Sequence, residues 1–284
     1  MMKRVSLCFL LLLMSCISAG AQQAQMQPLV FYYDYAVNPG KEEQFLDLVK
    51  TVGAPVRDKL MADGVVLAWG VESPLLRVPG DTTHSIWYAV ADWAGVEKVD
   101  TALRTQISKL NDEAAKSGVG KKGTAPASSV AARLLDSVDI SKTHDYLCRN
   151  LVFNASSNAP AGVLPYTRYF FFKVKPGKGG EFRKAWEKYN KPIIDKLLAD
   201  GVILAYGLAI EEVRTDGDFT HFSWFSMKDL SSMDKFRSAF LADREHRSQE
   251  EQQSITDLFT SLTDPDASRS EVVRALIFHA AGMK

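Results

Sequence analysis

The chain has 284 residues, 34 Lys and Arg balanced by 34 Asp and Glu, 46% hydrophobic residues and three cysteines. A zero net charge without long single-sign runs lacks the electrostatic footprint of a nucleic-acid binder or of a polybasic membrane surface. The length allows a large buried core, so stability need not come from disulfides.

The first element reads as a leader. Met1-Met2-Lys3-Arg4 is a short basic start, Val5 to Ile17 is an apolar run short for a bilayer span, and Ala19-Gly20-Ala21 has the small-x-small pattern of a signal-peptidase site. The expectation is a secretory signal over residues 1–21 and a mature chain in the bacterial periplasm or beyond. A lipoprotein anchored through Cys16 is the competing reading, and Met14 fits it poorly. No later apolar run reaches the length of a transmembrane helix. Cys8 and Cys16 leave with the leader, so Cys148 stands alone and no internal disulfide is expected.

Leu29 to Val37 is an aromatic and β-branched run ending at Pro39-Gly40, hence a strand. Phe45, Leu48, Val49, Val52, Val56 and Leu60 then recur at helical spacing, with Pro55 set to kink that helix and Gly64 to end it. A second strand covers Val65–Val71, a loop holds Gly80-Asp81, a third strand covers His84–Ala91, and a second helix starts near Val96. Asn111–Ser129 is rich in Gly, Ser, Ala and Lys and reads as a flexible loop; its Gly118–Thr124 portion lacks the spacing of a phosphate-binding loop. Tyr146–Ala155 is the last strand of this unit, and Ser156–Pro165 a linker.

The chain then repeats itself. "PVRDKLMADGVVLAWG" (Pro55–Gly70) and "PIIDKLLADGVILAYG" (Pro192–Gly207) share eleven of sixteen residues at an offset of 137. Val37–Phe45 pairs with Val174–Phe182, and Gly80–Tyr88 with Gly217–Phe225, at the same offset. Constant register over this distance is a tandem duplication, residues 27–155 followed by 166–284. The copies diverge in their second connection, where Leu241–Gln253 is charged and helix-prone. The final strand Val272–Ala281 aligns Arg274 with Arg149 at an offset of 125.

Strand, helix, strand, strand, helix, strand is the ferredoxin-like order, with helices on one face of the sheet. The first strands, "FYYDY" and "YFFF", have no clean polar side and must be buried on both faces. The predicted fold is therefore α+β: two tandem ferredoxin-like βαββαβ units whose sheets cover each other, a monomer with an internal pseudo-dimer. This pattern, with its Pro-Gly-Lys helix opening and Asp-Gly helix end, resembles the dimeric α+β barrel superfamily in tandem form, closest in flavour to EthD-like, NIPSNAP-like and cofactor-independent monooxygenase-like members. A ligand pocket between sheet and helices is expected alongside this resemblance. The resemblance does not select a reaction, because oxygenases, isomerases, haem-degrading enzymes and non-catalytic modules share the fold.

The candidate catalytic residues are Asp34, His84 and His221. Asp34 sits mid-strand where the second copy has Phe171, so its carboxylate must be paired, with Arg149, Arg274 or Arg168, or rise in pKa and serve proton abstraction. His84 and His221 recur within Asp-x-Thr-His-x-x-Trp motifs; they serve either as bases or haem ligands, or as fold supports, the role that recurrence favours. Tyr32, Tyr169, Trp87, Trp224, Arg149 and Arg274 are candidate ligand-binding residues, within an aromatic set that also includes Tyr33, Tyr35, Trp69 and Tyr206. The expected partner is a small, flat organic molecule. No resident cofactor or metal is predicted, haem being a minor alternative. A non-catalytic binding or assembly module is the competing function.

Overall fold

The computed structural model describes residues 27–78, 80–117, 129–156, 162–215 and 217–281. The leader expected over residues 1–21 lies outside them, as do 118–128 of the expected loop and 157–161 of the linker.

The first copy runs β1 (Leu29–Tyr35), α1 (Glu42–Leu48), a π-helical turn (Val49–Gly53), α2 (Ala54–Ala62), β2 (Val66–Pro74), β3 (His84–Val90), α3 (Trp93–Ser117), α4 (Val130–Ser137) and β4 (His144–Ala155). The second runs β5 (Tyr166–Val174), α5 (Gly179–Tyr189), α6 (Lys191–Ala199), β6 (Ala205–Glu211), β7 (His221–Met227), α7 (Ser232–Glu245), α8 (Gln249–Leu262) and β8 (Thr263–Ala280). Pro55 and Pro192 lie in the first turn of α2 and α6, where a missing N–H costs least, and the preceding helix is interrupted just before each. Two boundaries differ from expectation by more than a few residues. Residues 111–117 complete α3 rather than opening a loop, and β8 begins at Thr263, well before Val272.

Each copy forms an antiparallel sheet, β4-β1-β3-β2 or β8-β5-β7-β6, and the edges then pair, β2 with β8 and β4 with β6. The eight strands close into one antiparallel barrel, so no sheet edge is left unpaired. Around it β1 and β5 lie opposite each other.

Alternation along the strands divides the core into three. Helix-facing strand residues such as Phe31, Tyr33, Trp69 and Tyr88 in copy one, and Tyr206 and Phe225 in copy two, pack under the helices, the latter against Phe182 and Trp186 of α5. The third cluster, around Tyr169, Phe171, Phe222, Cys148 and Val273, fills the barrel itself. The helical layers repeat one hydrogen bond: Trp69 Nε1 donates to Asp58 at 2.8 Å, and Tyr206 donates its hydroxyl to Asp195.

Candidate functional site

A cavity of about 650 Å³ occupies one end of the barrel interior. It opens where the β2–β3 and β6–β7 loops meet, and Asp81, Asp218 and Phe219 from those loops line it. Tyr32 and Asp34 enter from β1, Glu72 from β2, Tyr169 and Phe171 from β5, and Glu271 from β8. The cavity thus lies between the two sheets, not between a sheet and its helices as expected. The reason is register: Tyr32 and Asp34 alternate with Phe31, Tyr33 and Tyr35, which face the helices.

Asp34 forms none of the three expected ion pairs. Burial pushes its carboxyl from 3.8 up to about 7; Ser85 and Arg269 oppose the rise, and the charges of Glu271 and Asp81 add to it. Ser85 faces Asp34 across the β1–β3 ladder, yet its buried Oγ closes no hydrogen bond. Glu72, only 4% exposed, is pushed from 4.5 to about 8 by burial, against the hydroxyl of Tyr169, which donates to its Oε2 at 3.0 Å. Burial raises Glu271 as well. Tyr32, Tyr169 and the Cys148 thiol are all held well above their ordinary values, chiefly by burial, so none is a ready nucleophile near neutrality. Tyr32 meets Phe222 edge-on at 6.0 Å across the barrel, and the exposed Arg269 lays its guanidinium 4.3 Å from the Phe171 ring centre.

The structure separates the expected residues. Asp34, Tyr32 and Tyr169 come together in the cavity. His84 and His221 are part of the framework. In each copy the Thr before the histidine accepts the N–H of Val37 or Val174 at 2.9 Å, and its Oγ lies 3.0 Å from the histidine Nδ1. The rings pack against Phe45 and Phe182, and burial lowers both to about 4. His84 reaches the cavity lining at its edge and His221 does not line it, while the buried Nε2 of His221 has no hydrogen-bond partner among the described residues. Among the described residues no group of three His, Cys, Asp or Glu has the geometry to hold a metal ion.

Trp87 and Trp224 point into the barrel two residues further from the mouth than Ser85 and Phe222, and fill the space below the cavity. Each stands over the glycine it pairs with, Gly70 or Gly207, and Trp224 Nε1 donates to Asn150 Oδ1 at 3.0 Å. Arg149 makes a two-pronged ion pair with Glu212 at 2.8 and 2.6 Å, outside the cavity. Arg274 is exposed on β8, and Arg168 lies over Phe170 on the helix side. These four ligand-binding candidates therefore do not line the cavity. Tyr33, Tyr35, Trp69 and Tyr206 face the helices.

Sequence reasoning missed Glu72, Glu271 and Arg269. The first two were accessible to the argument that found Asp34: at the repeat offsets Glu72 stands opposite Ala209 and Glu271 opposite Tyr146.

The closed barrel of two ferredoxin-like sheets decides the fold. This chain is a dimeric α+β barrel, with both halves in one polypeptide. No protein-family profile matches the chain, and no curated protein sequence does. Solved structures match the dimeric α+β barrel along nearly its whole length. A candidate monooxygenase from Fusobacterium nucleatum is 14% identical, with a TM-score of 0.58 over 91% of this chain and 96% of its own. A second candidate monooxygenase, from Lactobacillus acidophilus, is 9% identical, with a TM-score of 0.54 over 90% of this chain and 97% of its own. An anthrone oxidase-like protein is 12% identical, with a TM-score of 0.52 over 92% and 96%. At such identities the likeness is one of fold.

Proposed function

We propose that this protein binds a small, flat organic molecule inside its barrel and exchanges a proton with it through Asp34. The observation that carries the reading is a carboxyl pair, Asp34 and Glu72, facing an aromatic-walled cavity, with Asp34 titrating at about 7. A base of that strength is matched to work near neutrality. The Asp34 carboxylate takes a proton from a phenolic O–H or an activated C–H of the ligand, becomes the carboxylic acid, and leaves the charge on the ligand. Glu72, titrating at about 8, is protonated at pH 7 and can donate a hydrogen bond to an oxygen where that charge collects. The names of the neighbours, monooxygenases and an anthrone oxidase-like protein, favour a flat aromatic ligand by analogy of fold alone. The same reading has the chain exported after cleavage behind Ala21 and acting as a monomer whose two halves replace a dimer.

Native mass spectrometry of protein exported from a bacterial host tests this. The expected species is a monomer beginning at Gln22 with extra mass that is lost on denaturation, and without that mass in an equally folded Asp34→Asn variant. A bare monomer in both proteins would overturn the binding reading.

A further inference from the structure

We propose that the cavity selects an organic cation: an amine or amidine on an aromatic or alkyl frame, its positive end between Asp34, Glu72 and Glu271. The inference rests on the reading above that the barrel cavity is the binding site, and it names the class of molecule bound there.

Charge is the first argument. Three carboxyls lie inside the cavity, and Asp81, Asp145 and Asp218 line it nearer the mouth, all three exposed. Arg269 is the one Lys or Arg lining it among the described residues, and it is exposed and placed on a ring. An anion would approach against this field, whereas a cation is drawn in by it. A buried carboxylate left without a cation must give up its charge, and a bound ammonium lets it keep that charge.

The duplication is the second. It acts as an internal control, because residues that serve the fold recur in both copies, as the Thr-His pairs and the Trp-over-Gly pairs do. The three inner carboxylates do not recur: their counterparts are Phe171, Ala209 and Tyr146. The second copy builds the same half-barrel without them, so the barrel does not require them. They cluster at one cavity.

The walls are the third. Tyr32, Tyr169, Phe171 and Phe222 line the same cavity as the carboxylates, and aromatic rings attract cations over their faces. Arg269 over Phe171 at 4.3 Å already shows a cation accommodated on this wall. A bare metal ion is matched less well, since the carboxylates do not converge into a three-ligand set among the described residues.

The test uses three probes of one size: 2-phenylethylamine, 2-phenylethanol and phenylacetate, titrated by NMR into the full mature chain up to about 10 mM, the range of weak fragment binding. The amine is expected to bind at least ~10-fold more tightly than the alcohol, and phenylacetate not to bind. Asp34→Asn and Glu72→Gln, each checked for folding by thermal melting, should each weaken the amine by roughly 10-fold. If the alcohol or the acid binds as well as the amine, and Val273→Phe, which narrows the cavity, blocks it, the cavity reading stands and the cation inference fails. If the amine binds equally in the wild type and in both carboxyl variants, its site is elsewhere and both fail. If none of the three binds, the cation inference fails, and the cavity reading is judged by the co-purified ligand alone.

Discussion

Tyr169, on β5 of the second copy, donates its hydroxyl to Glu72 Oε2, on β2 of the first, at 3.0 Å. This bond joins the duplicated halves inside the barrel, and both side chains are almost wholly buried. Removing the hydroxyl leaves a buried carboxyl without that donor, which costs on the order of 1–3 kcal/mol. Tyr169→Phe should therefore unfold at lower urea concentration. It should also raise Glu72 further, because the hydroxyl opposes the effect of burial more than any other group does, Trp87 being the second. Infrared titration of the carboxylic C=O band would show this, and an unchanged midpoint would remove Tyr169 from the site's electrostatics.

The inner carboxyls make stability depend on pH in an unusual direction. Asp34 rises from 3.8 to about 7 and Glu72 from 4.5 to about 8 on folding, so the folded chain holds their protons more tightly than the unfolded chain. Their contribution is full below pH 4 and is lost as pH rises through 7 and 8. Asp34→Asn removes its share of that loss. At pH 8.5 the variant should be more stable than the wild type by roughly 2–4 kcal/mol, with the difference shrinking toward pH 4. Urea unfolding across this range measures it; a less stable variant at high pH would show that the carboxylate has a stabilising partner.

The histidines carry the opposite sign. Burial lowers His84 and His221 from 6.5 to about 4, so their contribution is full above pH 6.5 and is lost as pH falls toward 4. Between these limits the carboxyls and the histidines offset one another. The double variant Asp34→Asn with Glu72→Gln lifts that offset, and it should lose stability steeply on acidification below pH 6.5 while the wild type changes little. Haemin gives the same spectrum with His84→Ala, His221→Ala and wild type if the rings are framework. A Soret band dependent on either histidine would reverse that assignment.

The duplication made the architecture legible, because a constant offset reports shared backbone whatever the chemistry. It also showed which residues serve the fold: the Thr-His pairs recur because the N–H groups of Val37 and Val174 each need the same acceptor. What it hid was the face carrying the site. Trp87 and Trp224 do point inward, but they fill the barrel below the cavity, and strand periodicity alone cannot say how deep a filled layer ends. Strand order alone offers Arg149 as a partner for Asp34, because the last strand neighbours the first; alternation and the half-buried Glu212 take it elsewhere. The site is legible where the copies disagree, at Asp34, Glu72 and Glu271, and reading every such mismatch rather than one would have found all three. A fourth mismatch, Arg57 opposite Ile194, is a guanidinium only 4% exposed beneath the helices, beside the rings of Trp69 and Tyr88, and it belongs to no cavity described above.

The Trp-over-Gly pairs give the last prediction, and the two copies should not respond alike. A Cβ on Gly70 would lie 2.8 Å from the backbone oxygen of Ile277 and 3.1 Å from the Trp87 ring. A Cβ on Gly207 would lie 2.5 Å from Trp224 Nε1 and 2.8 Å from Asn150 Oδ1, both side-chain atoms, and would break the hydrogen bond between them. In the first copy the obstacle is the β2–β8 seam, where backbone must shift to relieve the clash; in the second a side-chain pair must turn away inside the barrel. Both substitutions should destabilise by about 1–3 kcal/mol, the usual cost of overpacking. Only Gly207→Ala should break an indole hydrogen bond, since the buried Trp87 Nε1 has no partner to lose among the described residues, so combining it with Asn150→Ala should cost less than the two single effects added, a coupling that a double-mutant cycle resolves. Additive losses would mean that Trp224 keeps its partner by a movement of β6, and that the floor of the cavity yields more easily than its packing implies.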